Sequence, residues 1–257
     1  MILLSWTCAV SFPVMMLLGG TMQPLEMFWQ PAIIGALFLF GQFFTFLAVK
    51  VGDVSIAAPV QGVKVLIVPA LAVLFFAEPM PSTIWVAASI AMVGIVFVQA
   101  TDHTVERSRI VFAVLFALLA ALAMTLFDLF IQRWAPAWGA GYFLTVAFGC
   151  SAVLSLLFLP LADRPSQLAA PDIRKPLVIG CLFMTLQAIG MTLTLAHWGD
   201  ATRVNIVYSL RGLWGVILTW VLSQRMNIEQ ATPNNKIMRM RLIGAVLIAI
   251  SVAISIA

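Results

Sequence analysis

Lys64 and Arg211 are positive charges set deep inside apolar runs, "VSIAAPVQGVKVLIVPALAVLFF" and "ATRVNIVYSLRGLWGVILTWVL". Residues three or four apart on a helix share a face. Gln61 lies three before Lys64, and Tyr208 lies three before Arg211. Asn205 and Ser209 are four apart on an adjoining stripe, and Gly212 and Gly215 leave room for a ligand or another backbone. Two cationic heads among amide, phenol and hydroxyl groups can hold an anionic group, a carboxylate or a phosphate. Trp214 could wall such a cavity and stack on its occupant. Gln187 in "MTLQAIG" and Gln42 in "FGQFFTF" either line it or hydrogen-bond across helices. Asp128 in "TLFDLFIQRW" is open to three readings: a charge partner of Arg211 in the empty state, a proton acceptor, or an interfacial carboxylate near Arg133.

Composition supplies the solvent for these charges. The 257 residues are 63% hydrophobic and only 9% charged, with a mean hydropathy of +1.08. Soluble domains carry about 25% charged residues, so lipid must cover much of this chain. A net charge of +4 does not indicate nucleic acid, because the bases sit in short connections and form no basic polar face. A base at the bilayer centre costs about 2.5–3.5 kcal/mol on insertion scales. Two explanations of Lys64 and Arg211 therefore stand side by side: a buried ion pair, with Asp128 or a helix C-terminus as partner, and a polar cavity in which both bases face a ligand. Intramembrane ionisable groups point to function, and two at matching places favour the cavity.

A membrane helix needs about 20 mostly apolar residues. Runs of that kind cover 2–20, 31–49, 54–77, 83–100, 109–132, 139–161, 176–196, 201–222 and 241–257. The sequence thus predicts an all-α integral membrane protein of about nine transmembrane helices. The first run reads as a membrane helix and not a cleaved leader, since no base precedes it. Lys50, Arg107, Arg109, Arg164, Arg174, Lys175, Arg225, Lys236, Arg239 and Arg241 fall on one side of such a topology, against Arg133 and Arg203 on the other. The positive-inside rule then places the N-terminus inside and the C-terminus outside.

The two charged runs align without a gap. "GDVSIAAPVQGVKVLIV" (52–68) lies over "GDATRVNIVYSLRGLWG" (199–215), matching Gly52 and Asp53 to Gly199 and Asp200, Ser55 to Thr202, Val60 to Val207, and Lys64 to Arg211. The chain therefore divides into an incomplete repeat of four helices over 1–100 and a repeat of five over 109–257. Repeats with an odd number of spans take opposite orientations, the inverted plan of many secondary transporters.

The stretch "GDVSIAAPV…VPALAVLFFAEPMPSTIWVAASIAMVGIVFV", with Glu78 closing one span and Gly94 in the next, resembles an EamA-type permease of the drug/metabolite transporter (DMT) superfamily. "GDATRVNIVYSLRGLWGVILTWVLSQR…RLIGAVLIAISVAI" is similar to the second copy, with Arg225 where the first copy has Glu78. The resemblance implies ten helices in two inverted repeats around a central cavity, so this chain is expected to lack the first of the ten, through a truncated start. It implies transport of a small metabolite across a prokaryotic cytoplasmic membrane.

Other functions find little support. The chain has no HExxH, GxSxG or Walker A motif, and "HWGD" around His197 marks the opening of a helix, as "GD" does at Asp53. His197 and Trp198, with Trp29, Trp85, Trp134, Trp138 and Trp220, suit interfacial anchoring. Cys8, Cys150 and Cys181 have no metal spacing and read as buried thiols. No cofactor, metal, nucleic acid or catalytic residue is expected. The partners are a small-molecule substrate and the lipid bilayer, with a proton or counter-substrate to relieve the bases in the empty state. The alternatives are a drug or amino-acid exporter of the same superfamily with its bases structurally paired, and a non-transporting scaffold subunit.

Overall fold

The protein is seen in a computed structural model that describes residues 1–52, 54–99, 107–161, 171–215, 217–218 and 235–256. Asp53, Trp220 and Arg225 lie outside the described residues. All regular structure among the described residues is helical. The helices are α1 (Ile2–Ser11), α2 (Trp29–Gly52), α3 (Val54–Gln61), α4 (Lys64–Phe76), α5 (Ser82–Val98), α6 (Arg107–Trp138), α7 (Ala140–Ser155), α8 (Pro171–Trp198), α9 (Ala201–Tyr208) and α10 (Asn235–Ile256), with a further short helical stretch over 211–215. Six helical stretches are long and apolar enough to cross a membrane, and 2–14 and 82–98 are shorter apolar helices. The protein is an all-α membrane protein.

Several boundaries depart from the apolar runs for local reasons. The first run is α-helical only to Ser11; a 3₁₀ stretch over Phe12–Leu18 follows, with Pro13 in its first turn. Proline offers no N–H for a helical bond, and Gly19 and Gly20, both at positive φ, end the segment. The span read as 54–77 is two helices, α3 and α4, and the span from 201 is also interrupted. The last helix starts at Asn235, six positions before the apolar run, so Arg241 sits on its second turn.

The chain forms two compact units, Met1–Phe43 with Leu126–Asp200 and Phe44–Thr125 with Ala201–Ala257. They cut across the two halves of the sequence, and α2 and α6 each contribute to both. In the first unit, α1 packs on α7 and α8 and is joined to them by hydroxyls. Thr7 Oγ1 and Thr185 Oγ1 are 2.8 Å apart, and Ser151 donates to Ser5 at 3.3 Å. Such bonds hold helices together where lipid gives no hydrophobic drive. Trp138 belongs to this core and not to an interfacial belt: it is fully buried, edge-on to Phe28, and its indole N–H donates to Gln30 at 3.0 Å.

The second unit is packed through small residues. Ala113 lies against Gly52, and Ala117 packs with Ala48 and Ala57. The alanine stripe of α6 therefore serves close helix contact, as its four-residue spacing predicts. Arg203 Nε donates to the Ser255 carbonyl at 2.9 Å, satisfying an acceptor that the last turn of α10 would otherwise leave open.

Candidate functional site

Each charged span breaks at its base. In the first, α3 ends at Gln61, Gly62 and Val63 form a turn, and α4 begins at Lys64. In the second, α9 ends at Tyr208, Ser209 and Leu210 form a turn, and helix resumes at Arg211. Five backbone hydrogen bonds recur at both breaks, while among the described residues the bond from Leu66 N–H to Val63 O at 2.9 Å is found at the first alone. Gly62 N–H donates to Ala58 O and Pro59 O at 3.1 and 3.0 Å, and Ser209 N–H to Asn205 O and Ile206 O at 3.2 and 3.1 Å. Val63 bonds to Val60 as Leu210 bonds to Val207, Val65 to Gly62 as Gly212 to Ser209, and Ile67 to Val63 as Trp214 to Leu210. Every partner in this set follows the register that places Lys64 on Arg211.

The sequence reaches these equal breaks by different chemistry. Pro59 leaves one carbonyl of α3 without its usual donor and crowds the preceding turn. At the matching place stands Ile206; there the Ser209 hydroxyl donates to the Ile206 carbonyl at 2.6 Å. A serine that bonds back into its own helix competes with the ladder and bends it.

Two neighbouring helices complete the arrangement. A Cβ on Gly94 would lie 2.9 Å from Gly244 O and 3.1 Å from Ile248 N, while one on Gly244 would lie 2.6 Å from Gly94 O and 2.7 Å from Val98 N. These contacts are reciprocal and antiparallel: Gly94 meets Gly244 and Ile248, and Gly244 meets Gly94 and Val98. Only glycine lets α5 and α10 approach so closely. Gly62 in turn packs beneath Ile95 of α5, with Ile95 Cγ2 2.5 Å from where its Cβ would be.

Within the second unit a cavity of about 520 Å³ opens among these elements. It is lined by the matched pairs Ala58 and Asn205, Gln61 and Tyr208, Gly62 and Ser209, Lys64 and Arg211, and Val65 and Gly212. Val98 and Ile248, partners across the glycine crossing, also line it, as do Ile95, Gly215, Gln99 and Arg241. Its polar edge thus holds three bases, two primary amides from glutamine, an asparagine, a phenol and a serine hydroxyl. No carboxylate is among the described residues that line it.

The side chains of the site are held in place locally. Arg211 Nη1 donates to Tyr208 Oη at 2.6 Å, and its guanidinium carbon lies 4.4 Å from the Tyr208 ring centroid. The tyrosine therefore serves the charge with both its oxygen and its π face. Gln61 Nε2 donates to Thr45 Oγ1 of α2 at 3.1 Å. Asn205 Nδ2 donates to the Ala201 carbonyl at 2.8 Å. With its proton on the Ile206 carbonyl, Ser209 must redirect its hydroxyl to serve an anion.

Of the residues singled out in the sequence, Lys64, Arg211, Gln61, Tyr208, Asn205 and Ser209 share this cavity. Trp214 is 60% exposed and does not line it. Gln187, exposed on α8, and Asp128, fully buried on α6, belong to the first unit and do not line it either. Gln42 is also in the first unit, and its Oε1 is buried with no hydrogen-bond partner among the described residues. His197 stacks edge-on with exposed Trp198, 4.7 Å between centroids, as an anchoring pair would. Arg241 is a lining residue that sequence reading assigned to a connection, and Gln99, within the run 83–100, is one it did not single out. A helical phase extended back to Asn235 would have placed Arg241 on a helix face.

Residues 1–99 match the model of the EamA-like transporter family. This part of the chain is similar to that family. The match agrees with the resemblance to EamA-type permeases of the DMT superfamily, and it includes α3, α4, α5 and Lys64. No curated protein matches the chain. A solved crystal structure of a protein is similar to it with a TM-score of 0.68 and 19% sequence identity, covering 99% of this chain and 88% of that one. At that identity the likeness concerns the fold alone. The apolar helices make this an integral membrane protein, and its first 99 residues are similar to the EamA-like transporter family.

Proposed function

We propose that this EamA-type protein is a secondary transporter that moves a small metabolite carrying an anionic group. In this reading the chain is two inverted repeats, 1–100 and 109–257, in a prokaryotic cytoplasmic membrane, and access to a midplane cavity alternates between its sides. The observation that carries it is the recurrence of a base at the same helix break in both repeats, with both bases lining one cavity. Broken helices at the midplane are where transporters of this plan bind their cargo. Lys64 and Arg211 supply charge complementarity, and Gln61, Asn205, Tyr208 and Ser209 orient the substrate. A proton or a counter-substrate relieves the bases in the empty state.

Thermal stability of the purified protein in detergent, measured against anionic, zwitterionic and cationic metabolites, tests this reading. Anions should stabilise the wild type and leave Lys64→Gln and Arg211→Gln unaffected, although both variants insert and fold. Uptake that persists in both variants would falsify the anion site. The second reading, a drug or amino-acid exporter with structurally satisfied bases, draws on the Tyr208 contact that already serves Arg211. Stabilisation by cations or zwitterions, retained in Arg211→Gln, would decide for it.

A further inference from the structure

Resting on that reading, we infer that Arg241 makes the cavity select doubly charged anions over singly charged ones. Superposing α5 on α10 so that Gly94 falls on Gly244 and Val98 on Ile248 sets Arg241 on Ala91, a fully buried small residue of α5. The third base is therefore not a product of the repeat. It is an asymmetric addition, on the second turn of α10, to a cavity that is otherwise lined largely by matched pairs. Lys64 and Arg211 recur by symmetry; Arg241 answers to something else.

Three positive side chains around about 520 Å³ set up a positive potential, which strengthens as a ligand displaces water and the local dielectric falls. One negative charge on the occupant offsets part of it. A second charge on the same small ligand interacts with all three bases and is favoured again. The cavity lies within the size range of small-molecule sites, and Gly62, Gly212 and Gly215 line it without side chains that would fill it. Two guanidinium forks fit the oxygens of a phosphate monoester or of a dicarboxylate. The shared chemistry of these ligands is a compact dianion.

The test compares each dianion with its own ester, which keeps the shape and removes one charge: methyl phosphate with dimethyl phosphate, and succinate with monomethyl succinate. Binding to the full-length protein in detergent is measured by calorimetry. The wild type should bind at least one dianion about tenfold more tightly than its ester. In Arg241→Gln that ratio should fall to near unity while the ester still binds, and Arg241→Lys should keep most of the preference. Methyl phosphate gains its second charge near pH 6, about where phosphate esters ionise. Its affinity should accordingly rise from about pH 5 to 7 in the wild type and stay flat in Arg241→Gln. Whichever pair shows the preference names the source of the dianion. Equal binding of both members of both pairs, or an unchanged ratio in Arg241→Gln, overturns the role of Arg241 and leaves the anion site standing. Absence of any anion binding to the wild type overturns both.

Discussion

Around residues 61–64 the chain breaks three residues after a proline and holds a lysine; around 208–211 it breaks at a serine and holds an arginine under a tyrosine. Most backbone bonds of the two breaks recur in the same register, with the Leu66 to Val63 bond as the exception. The side chains do not recur. On the first side the cavity sees Ala58, Gln61 and Gly62, and on the second Asn205, Tyr208 and Ser209. The comparison separates what the fold needs from what the cargo needs. A turn in mid-span is repeated because it is structural and can be made by more than one sequence. On the proposed transport reading, the polar groups gather around the second break because a ligand that is not itself symmetric has to be bound in one direction.

The largest effect should come from breaking the chemical difference while keeping the total charge. In a Lys64→Arg, Arg211→Lys double variant both bases remain. Yet the lysine now at 211 has no planar fork to share between Tyr208 and an anion, and the arginine at 64 has Gln61 and no ring three residues before it. Arginine and lysine are not interchangeable at such stacked sites. Anion affinity should drop by about a hundredfold, on the order of one or two charged hydrogen bonds, with the melting temperature little changed. An exchange without loss would show that the two breaks are chemically equivalent.

The structural half of the comparison is probed at the glycine crossing. Gly244→Ala would push a methyl against Gly94 O and Val98 N, both backbone atoms, at 2.6 and 2.7 Å. Its nearest counterpart on Gly94→Ala is Ile248 Cγ1 at 2.7 Å, the end of a flexible side chain, with Gly244 O at 2.9 Å. Overpacking costs about 1–3 kcal/mol. Gly244→Ala should sit at the upper end and Gly94→Ala at the lower, as read from thermal melts in detergent. The two share a single contact, so the double variant should cost less than their sum.

How much of this was legible in the sequence follows the same division. The membrane class and the matching placement of Lys64 and Arg211 are carried by hydropathy and by the order of residue types, and these survive in a single chain. The breaks were not seen. Pro59 alone does not end a membrane helix, and a serine such as Ser209 is unremarkable until its hydroxyl is found on Ile206. Arg241 was assigned to a connection because α10 opens with polar residues that add no apolar signal. The reciprocal placement of Gly94 and Gly244 depends on how two helices cross, which hydropathy does not encode. Trp138 looked like an interfacial anchor by its position in the chain, and Gln30 gave it the partner that lets it lie buried.

The smallest expected effect isolates what the tyrosine adds to the arginine. Tyr208→Phe keeps the ring 4.4 Å from the Arg211 guanidinium and removes only the oxygen 2.6 Å from Nη1. The lost bond is worth about 1 kcal/mol, but removing it also frees Nη1 for a ligand. The two consequences oppose each other. If the oxygen chiefly positions the guanidinium, anion affinity should fall by about threefold to fivefold. Were it chiefly a competitor for the same N–H, affinity should rise by a similar factor. Tyr208→Leu removes ring and oxygen together, and here only a fall is expected, because the π face that steadies the charge in the empty cavity is gone. We expect a fall in both variants, larger in Tyr208→Leu. In the proposed anion site the planar fork of Arg211 should bind well only when its orientation is fixed in advance.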